Sequence, residues 1–578
     1  MSIHVIRPAP KEHRTFEPLK AAAAREGQHT ERDHASARLL VGRRQRTIVL
    51  SVMSAIRRPP TMVSAILLLA SALFFLHQAI RGIWFLPYPD EPEHLLGGMM
   101  LDRGAILYRD FVTEHGPTTF IATQLYGAVF GWGQPNLARA MLIVLAALSV
   151  AAIGSIPVRV GGIHVRLWAS ALFLSLVSSV WLFQGLYLVS YYAIAGLLLT
   201  ISIAVFVAPS WYGVAPGWKR GFVGGAGLVL VTATAYSYAP ACLLLGSSAV
   251  LSERTKRTGR AALFGFGCGI AASAMALFVW LVLFGDVIGY IVFHLVENQV
   301  YYAPYIHFSF QTFLLGLIPS LDAFHRVNTL SLVLNCLGLA LFLLIDRQRP
   351  HEFASNCIPI LLGWLGLLSL QARGTPFLPN GPFLLTSICL FSIALPIAVS
   401  DHSHRNLFGG WPRPLLVVGI PAFLVQAFVM GAAHASNIFA MPANLKTRYD
   451  IGVSQDPLPA HIRNATRADD SILVLPYAPH IYLETDRQPM NRYHDYFPVD
   501  ADYAKSPWFG RTHDLCVDLP KPPPAVIYIL SRDFFFIGTD GHYLDCVFSY
   551  VAAHYRQSKQ FHGLYLRSDI ASTQSTSW

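Results

Sequence analysis

Apolar residues run through this chain in stretches of about twenty, broken by short polar links, the pattern of repeated membrane crossings rather than of a soluble core. The first predicted span is Met62–Trp84. Thr118–Gly131 is short for a crossing and contains Gln124 and Gly127, so it reads as an interfacial or re-entrant helix. Asn136–Val158, Leu167–Gly185 and Val189–Pro209 follow as spans, and Gly221–Ser252 reads as two short crossings hinged near Tyr236–Pro240, where proline interrupts the helix. Arg260–Phe284, Asn328–Ile345, Asn356–Leu370, Phe383–Ser400 and Pro414–Gly431 complete about eleven crossings. Between them, Gly285–Arg326 mixes tyrosines with His294, Glu297 and Asn298, and reads equally as a headgroup belt or an acceptor-binding loop. After Ala432 the pattern changes: Ser471–Leu475 and Ala525–Leu530 read as buried strands and Val547–Tyr555 as a helix. The expected fold is a polytopic α-helical membrane protein with a small α/β C-terminal extramembrane domain. Its parts are a tail over 1–60, a transmembrane domain over 61–433 with an outer loop at 87–117, and an α/β domain over 434–578.

Composition agrees with this reading. The 578 residues are 53% hydrophobic and only 13% charged, and the mean hydropathy is +0.44. The formal charge of +10 would suit nucleic acid, but much of the excess lies before the first span, between Arg7 and Arg58, where it fits a cytoplasmic tail near anionic lipid. Nucleic acid is therefore not an expected partner, whereas membrane lipids are. Basic links at Arg159–Arg166, Lys219-Arg220, Arg254–Arg260 and Arg347–Arg349 keep the same side, which sets the N-terminus inside and loop 87–117 and the C-terminal domain outside. Residues 1–46 contain no apolar core of signal-peptide length, so the first span is expected to be retained as an anchor. Five cysteines lie in apolar runs, where Cys behaves as a small hydrophobe. Cys516 and Cys546 alone lie in the polar C-terminal part, and an external location makes them a disulfide pair.

The densest chemistry is in PYPDEPEHLLGGMMLDRGAILYRDFVTEHGP, residues 87–117. Ionisable groups crowded beside a span cost free energy unless they face water or a site. Pro87, Pro89 and Pro92 restrict the backbone around Asp90 and Glu91. A pinned acid pair at a membrane edge suits a general base for an acceptor hydroxyl or amine, a ligand set for a divalent cation such as Mg or Mn, or a cap on the helix His94–Asp102.

This order of features resembles the first outer loop of the GT-C superfamily of polyprenyl-phosphate-sugar-dependent glycosyltransferases, relatives of protein O-mannosyltransferases and lipid A aminoarabinose transferase. The residues that carry the resemblance are Asp90-Glu91, Gly104 to Tyr108-Arg109-Asp110, Pro117, Phe130-Gly131 and Ala138-Arg139. It extends loosely to the spans and, in the C-terminal part, to Ile481–Leu483, Arg487 and Asn491–Tyr493. The resemblance implies a GT-C-like fold and inverting transfer of a sugar from a polyprenyl-phosphate-linked donor to an envelope acceptor, on the outer face of what would be a bacterial inner membrane. It implies Asp90 as general base with Glu91 assisting or holding a cation. Glu93, Arg103, Arg109, Asp110, His115, Arg139 and Arg373 are then candidates for binding the substrates, the arginines because guanidinium suits phosphate oxygens. The chain departs from many relatives in having Tyr236-Ser237-Tyr238 where they carry a lysine, and His115-Gly116-Pro117 where a double proline is common. The competing classes are a lipid or sugar transporter or flippase, which would call for repeats and intramembrane charges, and a noncatalytic scaffold.

Overall fold

The computed structural model describes residues 59–84, 90–157, 162–182, 185–212, 214, 216–256, 259–302, 331, 333–341, 350–371, 381–400, 457–530 and 541–571. The tail, Arg373 and the expected span Pro414–Gly431 lie outside these residues. The chain divides after Ala65 into two compact units. In the first, Met1–Ala65, the described part is the start of the helix Pro59–Ile83. The second, Ile66–Trp578, holds the rest of that helix and every other described element.

Most of the described chain is helical, and six helices are long and apolar enough to cross a membrane: Thr61–Ile83, Pro135–Gly154, Gly162–Trp181, Tyr191–Trp211, Gly259–Phe284 and Gly381–Ala398. The expected total of about eleven spans exceeds this six, which covers only the described residues. Pro117–Phe130 has 14 residues, shorter than a crossing requires. The expected hairpin is formed by the helices Gly217–Thr232 and Ala239–Arg254, with a 3₁₀ turn at Tyr236–Tyr238 between them. Pro240 sits in the first turn of the second helix, where its missing N–H is harmless. Gly217–Thr232 also packs closely along Gly259–Phe284. A Cβ on Gly221 would lie 2.0 Å from the Ala262 carbonyl oxygen and one on Gly269 would lie 2.1 Å from that of Phe222. The spacing Gly221–Gly225 against Gly265–Gly269 is thus the small-residue seam that lets membrane helices touch backbone to backbone.

Of the segment Gly285–Arg326, expected as a headgroup belt or an acceptor-binding loop, residues 285–302 are described. Tyr290–Tyr302 is a π-helix rather than a loop, reached through a turn in which the Asp286 carboxylate accepts from the Ile288 N–H at 3.0 Å. It buries His294 and Glu297 together with Val292 and Phe293, and Ile291 and Val300, with Ile288 just before it, are exposed.

In the C-terminal part a five-stranded sheet has the order β2-β1-β3-β5-β4. Its strands are β1 (Ser471–Leu475), β2 (Gln488–Pro489), β3 (Val526–Ile529), β4 (Tyr555–Gln557) and β5 (Leu564–Arg567). β2–β1–β3 is parallel, and β3–β5 and β5–β4 are antiparallel. The unbroken apolar run of β1 follows from burial on both faces. Ile472 and Val474 join a core with Leu96, Tyr108, Phe111 and Phe120 from the first loop and its helices, whereas Leu473 and Leu475 pack with Leu544, Val547 and Val551. One face of the sheet therefore docks directly on the stretch that carries the acids.

Candidate active site

The helix Asp90–Asp102 places Asp90, Glu91 and Glu93 in its first turn, where the N-terminal end of the dipole favours negative charge. Residues 91–101 are all buried, and helical geometry sends the three carboxylates in different directions.

Glu91 turns into the membrane body. Its carboxylate accepts from Arg139 Nε at 2.8 Å, pairs also with Arg139 Nη2, and accepts from the Val189 N–H at 2.9 Å. Arg139 Nη1 donates to the Gly82 and Ile83 carbonyls at 2.7 and 3.2 Å, so it closes the last turn of the first span as well. Both side chains are about 1% exposed. Glu91 and Arg139, expected at the base and at a donor phosphate, are thus bonded to each other.

Glu93 turns the other way and is a junction. Thr113 Oγ1 donates to it at 2.6 Å and the Tyr477 hydroxyl at 2.9 Å, with His115 Nε2 at 3.5 Å and His494 Nε2 at 3.4 Å. Burial pushes the Glu93 carboxyl up, but His115 and His494 outweigh it and hold the pKa well below the usual range. Burial likewise pushes His115 down, and Glu93, Glu114 and Asp90 carry it up to about 10, so it is a cation at neutral pH. His94, behind this pair, is driven by burial to about 3 and stays neutral, with Nδ1 at 3.1 Å from the Val189 carbonyl.

Asp90 lies at the edge of the cluster, half-buried, and among the described residues it has no hydrogen bond or ion pair. Burial raises its pKa to about 7, with Glu93 and Glu114 adding to the rise and His115 opposing it. Beyond it, burial and neighbouring acids hold Asp495 well above the carboxylate range. Glu297 is also pushed up by burial and keeps the proton it shares with Asp500, itself raised to about 7 by burial. The cluster therefore contains charged, neutral and half-titrated acids within one site, the arrangement that acid–base chemistry requires.

The loop that closes the site is shaped by local constraints. Tyr108 has a left-handed backbone, φ 65°, and its hydroxyl donates to the His115 carbonyl at 2.7 Å. Gly116 passes so close to the hairpin hinge that a Cβ would lie 2.2 Å from the Ala233 carbonyl oxygen. The Glu114 carbonyl accepts from Asn298 at 2.9 Å and lies 2.6 Å from His294 Nδ1, which ties the loop to the π-helix.

Of the other expected site residues, Arg109 forms an ion pair with Asp110 at 2.8 Å, and Arg103 pairs with Asp486. Both arginines remain partly exposed. Arg373 lies outside the described residues. Cys516 and Cys546 form a disulfide with Cα atoms 5.8 Å apart. For a cation, Glu93, Glu114 and His115 offer ligand atoms within 4.8 Å of one another, whereas Glu91 is turned away. Tyr477, His494, Asp495 and Asp500 escaped the sequence reading as site residues, whereas Glu297 lies in the segment read as a headgroup belt or an acceptor-binding loop. For His494 and Asp495 the available signal was the polar and aromatic run Arg492-Tyr-His-Asp-Tyr496 in an otherwise apolar chain.

No protein-family model and no curated protein matches the sequence. Among solved structures, the archaeal oligosaccharyltransferase AglB from Archaeoglobus fulgidus, in complex with an inhibitory peptide and a dolichol-phosphate, is similar over 81% of this chain and 69% of that one, with 12% identity and a TM-score of 0.41. The A. fulgidus oligosaccharyltransferase tethered to an acceptor peptide matches at 11% identity over 82% and 69%, with a TM-score of 0.40. The apo form matches at 13% identity over 80% and 69%, with a TM-score of 0.38. A likeness at these values carries no argument about chemistry.

Proposed function

We propose that this protein is an inverting glycosyltransferase that moves a sugar from a polyprenyl-phosphate-linked donor to an envelope acceptor, a lipid, polysaccharide or protein. The observation that carries this reading is Asp90, a half-buried carboxyl raised to about 7 that is not tied up in a hydrogen bond within the described structure. It lies in a first loop that resembles that of GT-C enzymes. Asp90 takes the proton from the acceptor hydroxyl or amine, whose oxygen or nitrogen attacks the anomeric carbon. The bond from that carbon to the phosphate oxygen breaks on the opposite face, and the phosphate leaves with the electron pair. The leaving group is already a weak base, so the protein's work is deprotonation and positioning.

Ionised Glu93, paired with His115 within the loop, holds the loop against the C-terminal part through Tyr477 and His494, and the partly exposed Arg103 and Arg109 are the candidates for meeting the donor phosphate. If the enzyme uses a divalent cation, Glu93 and Glu114 would hold it, with His115 joining them only once it had given up its proton, and the ion would neutralise phosphate charge. We place the site and the 434–578 domain on the outer face of a bacterial inner membrane, following the basic links. The test is to replace the gene with one encoding Asp90→Asn and compare envelope glycans and lipids by mass. Loss of one sugar modification at normal protein level is expected, and an unchanged profile overturns the reading.

A further inference from the structure

The helix Gly259–Phe284 is the least enclosed of the six candidate spans, with 22% of its apolar stretch buried. Phe278, Val279, Val282, Leu283 and Phe284 are exposed, Leu283 by 64%. In a span such a face is covered by lipid. The exposed apolar face continues past the helix end through Ile288, Ile291 and Val300, while His294 and Glu297 point into the protein.

The C-terminal part presents a second apolar feature at this place. Trp508 and Phe509 are 41% and 71% exposed at the tip of a 3₁₀ turn. Phe509 has a left-handed backbone, φ 51° and ψ 28°, with Gly510 following at φ 68°. An aromatic residue held in that region is strained, and strain of this kind persists where the surroundings impose it. Two tethers fix the tip. Arg511 pairs with Asp286 at 2.7 Å, two residues beyond the end of the span. The Tyr301 hydroxyl donates to the Ser506 carbonyl at 3.0 Å. The aromatic pair is therefore held at the Phe284 end of the span, the level at which Trp and other aromatic rings partition into the headgroup and acyl boundary.

We infer that Trp508 and Phe509 form a membrane-dipping tip, by which the C-terminal part inserts two aromatic rings into the bilayer leaflet at the Phe284 end of Gly259–Phe284. The occupant of the patch is lipid, because the exposed face it adjoins is the face of a span. The inference rests on the membrane reading of that helix, and is independent of the sugar-transfer proposal.

The test is photocrosslinking of the full chain in proteoliposomes of phosphatidylethanolamine and phosphatidylglycerol. Benzoylphenylalanine is placed separately at Phe509, at Trp508 in case the first variant misfolds, and at Leu283 as the reference. Phospholipid adducts on the peptides carrying 283 and either tip position are expected. Adducts at 283 but at neither tip position overturn the inference and leave the span reading intact. Adducts at none of the positions remove the span reading and the inference with it. Crosslinks from the tip to protein in native membranes, without lipid adducts, overturn it in favour of a protein-docking surface.

Discussion

Asp90 and Glu91 are adjacent in sequence and opposite in circumstance. Since Asp90 must be ionised to act as a base, the rate of transfer is expected to rise with pH through about 7 and then level off. Asp90→Asn is expected to lower it by about 100-fold or more, measured as product formed per enzyme in membranes. The linkage to stability has the opposite sense. A carboxyl that is weaker when folded favours folding at acid pH and loses that contribution as pH rises towards 7. His115, raised to about 10, stabilises below the ordinary imidazole pKa and loses this only as pH rises through 10. Glu91 is a different case. Glu91→Gln leaves the Arg139 guanidinium buried without its counter-charge and is expected to cost about 3–5 kcal/mol, read as a lower midpoint of thermal unfolding in detergent. Replacing both partners by apolar residues, Glu91→Leu with Arg139→Met, is expected to recover only part of that loss, since the Val189 N–H and the Gly82 carbonyl lose their partners.

At the level of elements, the features legible in the sequence were the local ones. The hinge at Tyr236–Tyr238 followed from Pro240 and strands β1 and β3 from short apolar runs, while the expected helix Val547–Tyr555 is observed as Asp545–His554, with Tyr555 opening β4. The π-helix Tyr290–Tyr302 was not legible, because its polar residues are the ones a surface reading would turn outward, whereas His294 is held by the Glu114 carbonyl and Glu297 by Asp500. The loop 103–116 shows how one element depends on another. Gly116→Ala forces a Cβ into the hinge backbone at Ala233 and Thr234, neither of which can rotate away. It is expected to destabilise by about 1–3 kcal/mol and to displace His115, detectable as faster hydrogen exchange across residues 106–116. In the C-terminal part the disulfide closes 30 residues between the helices Leu515–Asp518 and Asp545–His554. Cys516→Ser with Cys546→Ser is expected to cost about 3.5 kcal/mol by loop closure, measured by thermal unfolding with and without reductant.

Over the whole molecule, membrane segments and soluble-type sheet meet at one carboxylate. Pairings such as Glu91 with Arg139, 48 residues apart, or Glu93 with Tyr477, 384 apart, have no periodicity to betray them, which is why the sequence pointed to the region of the site and not to its membership. Glu93 collects Thr113 and His115 from the first loop and Tyr477 and His494 from near the end of the chain. The order of synthesis separates these partners in time. A ribosome has made nearly five hundred residues, including all six candidate spans, before it adds the last of them. A growing chain already seated in its membrane thus has the carboxylate and His115, but not yet the Tyr477 hydroxyl and the His494 imidazole. The site is complete only once the C-terminal part has been made and packs onto the first loop.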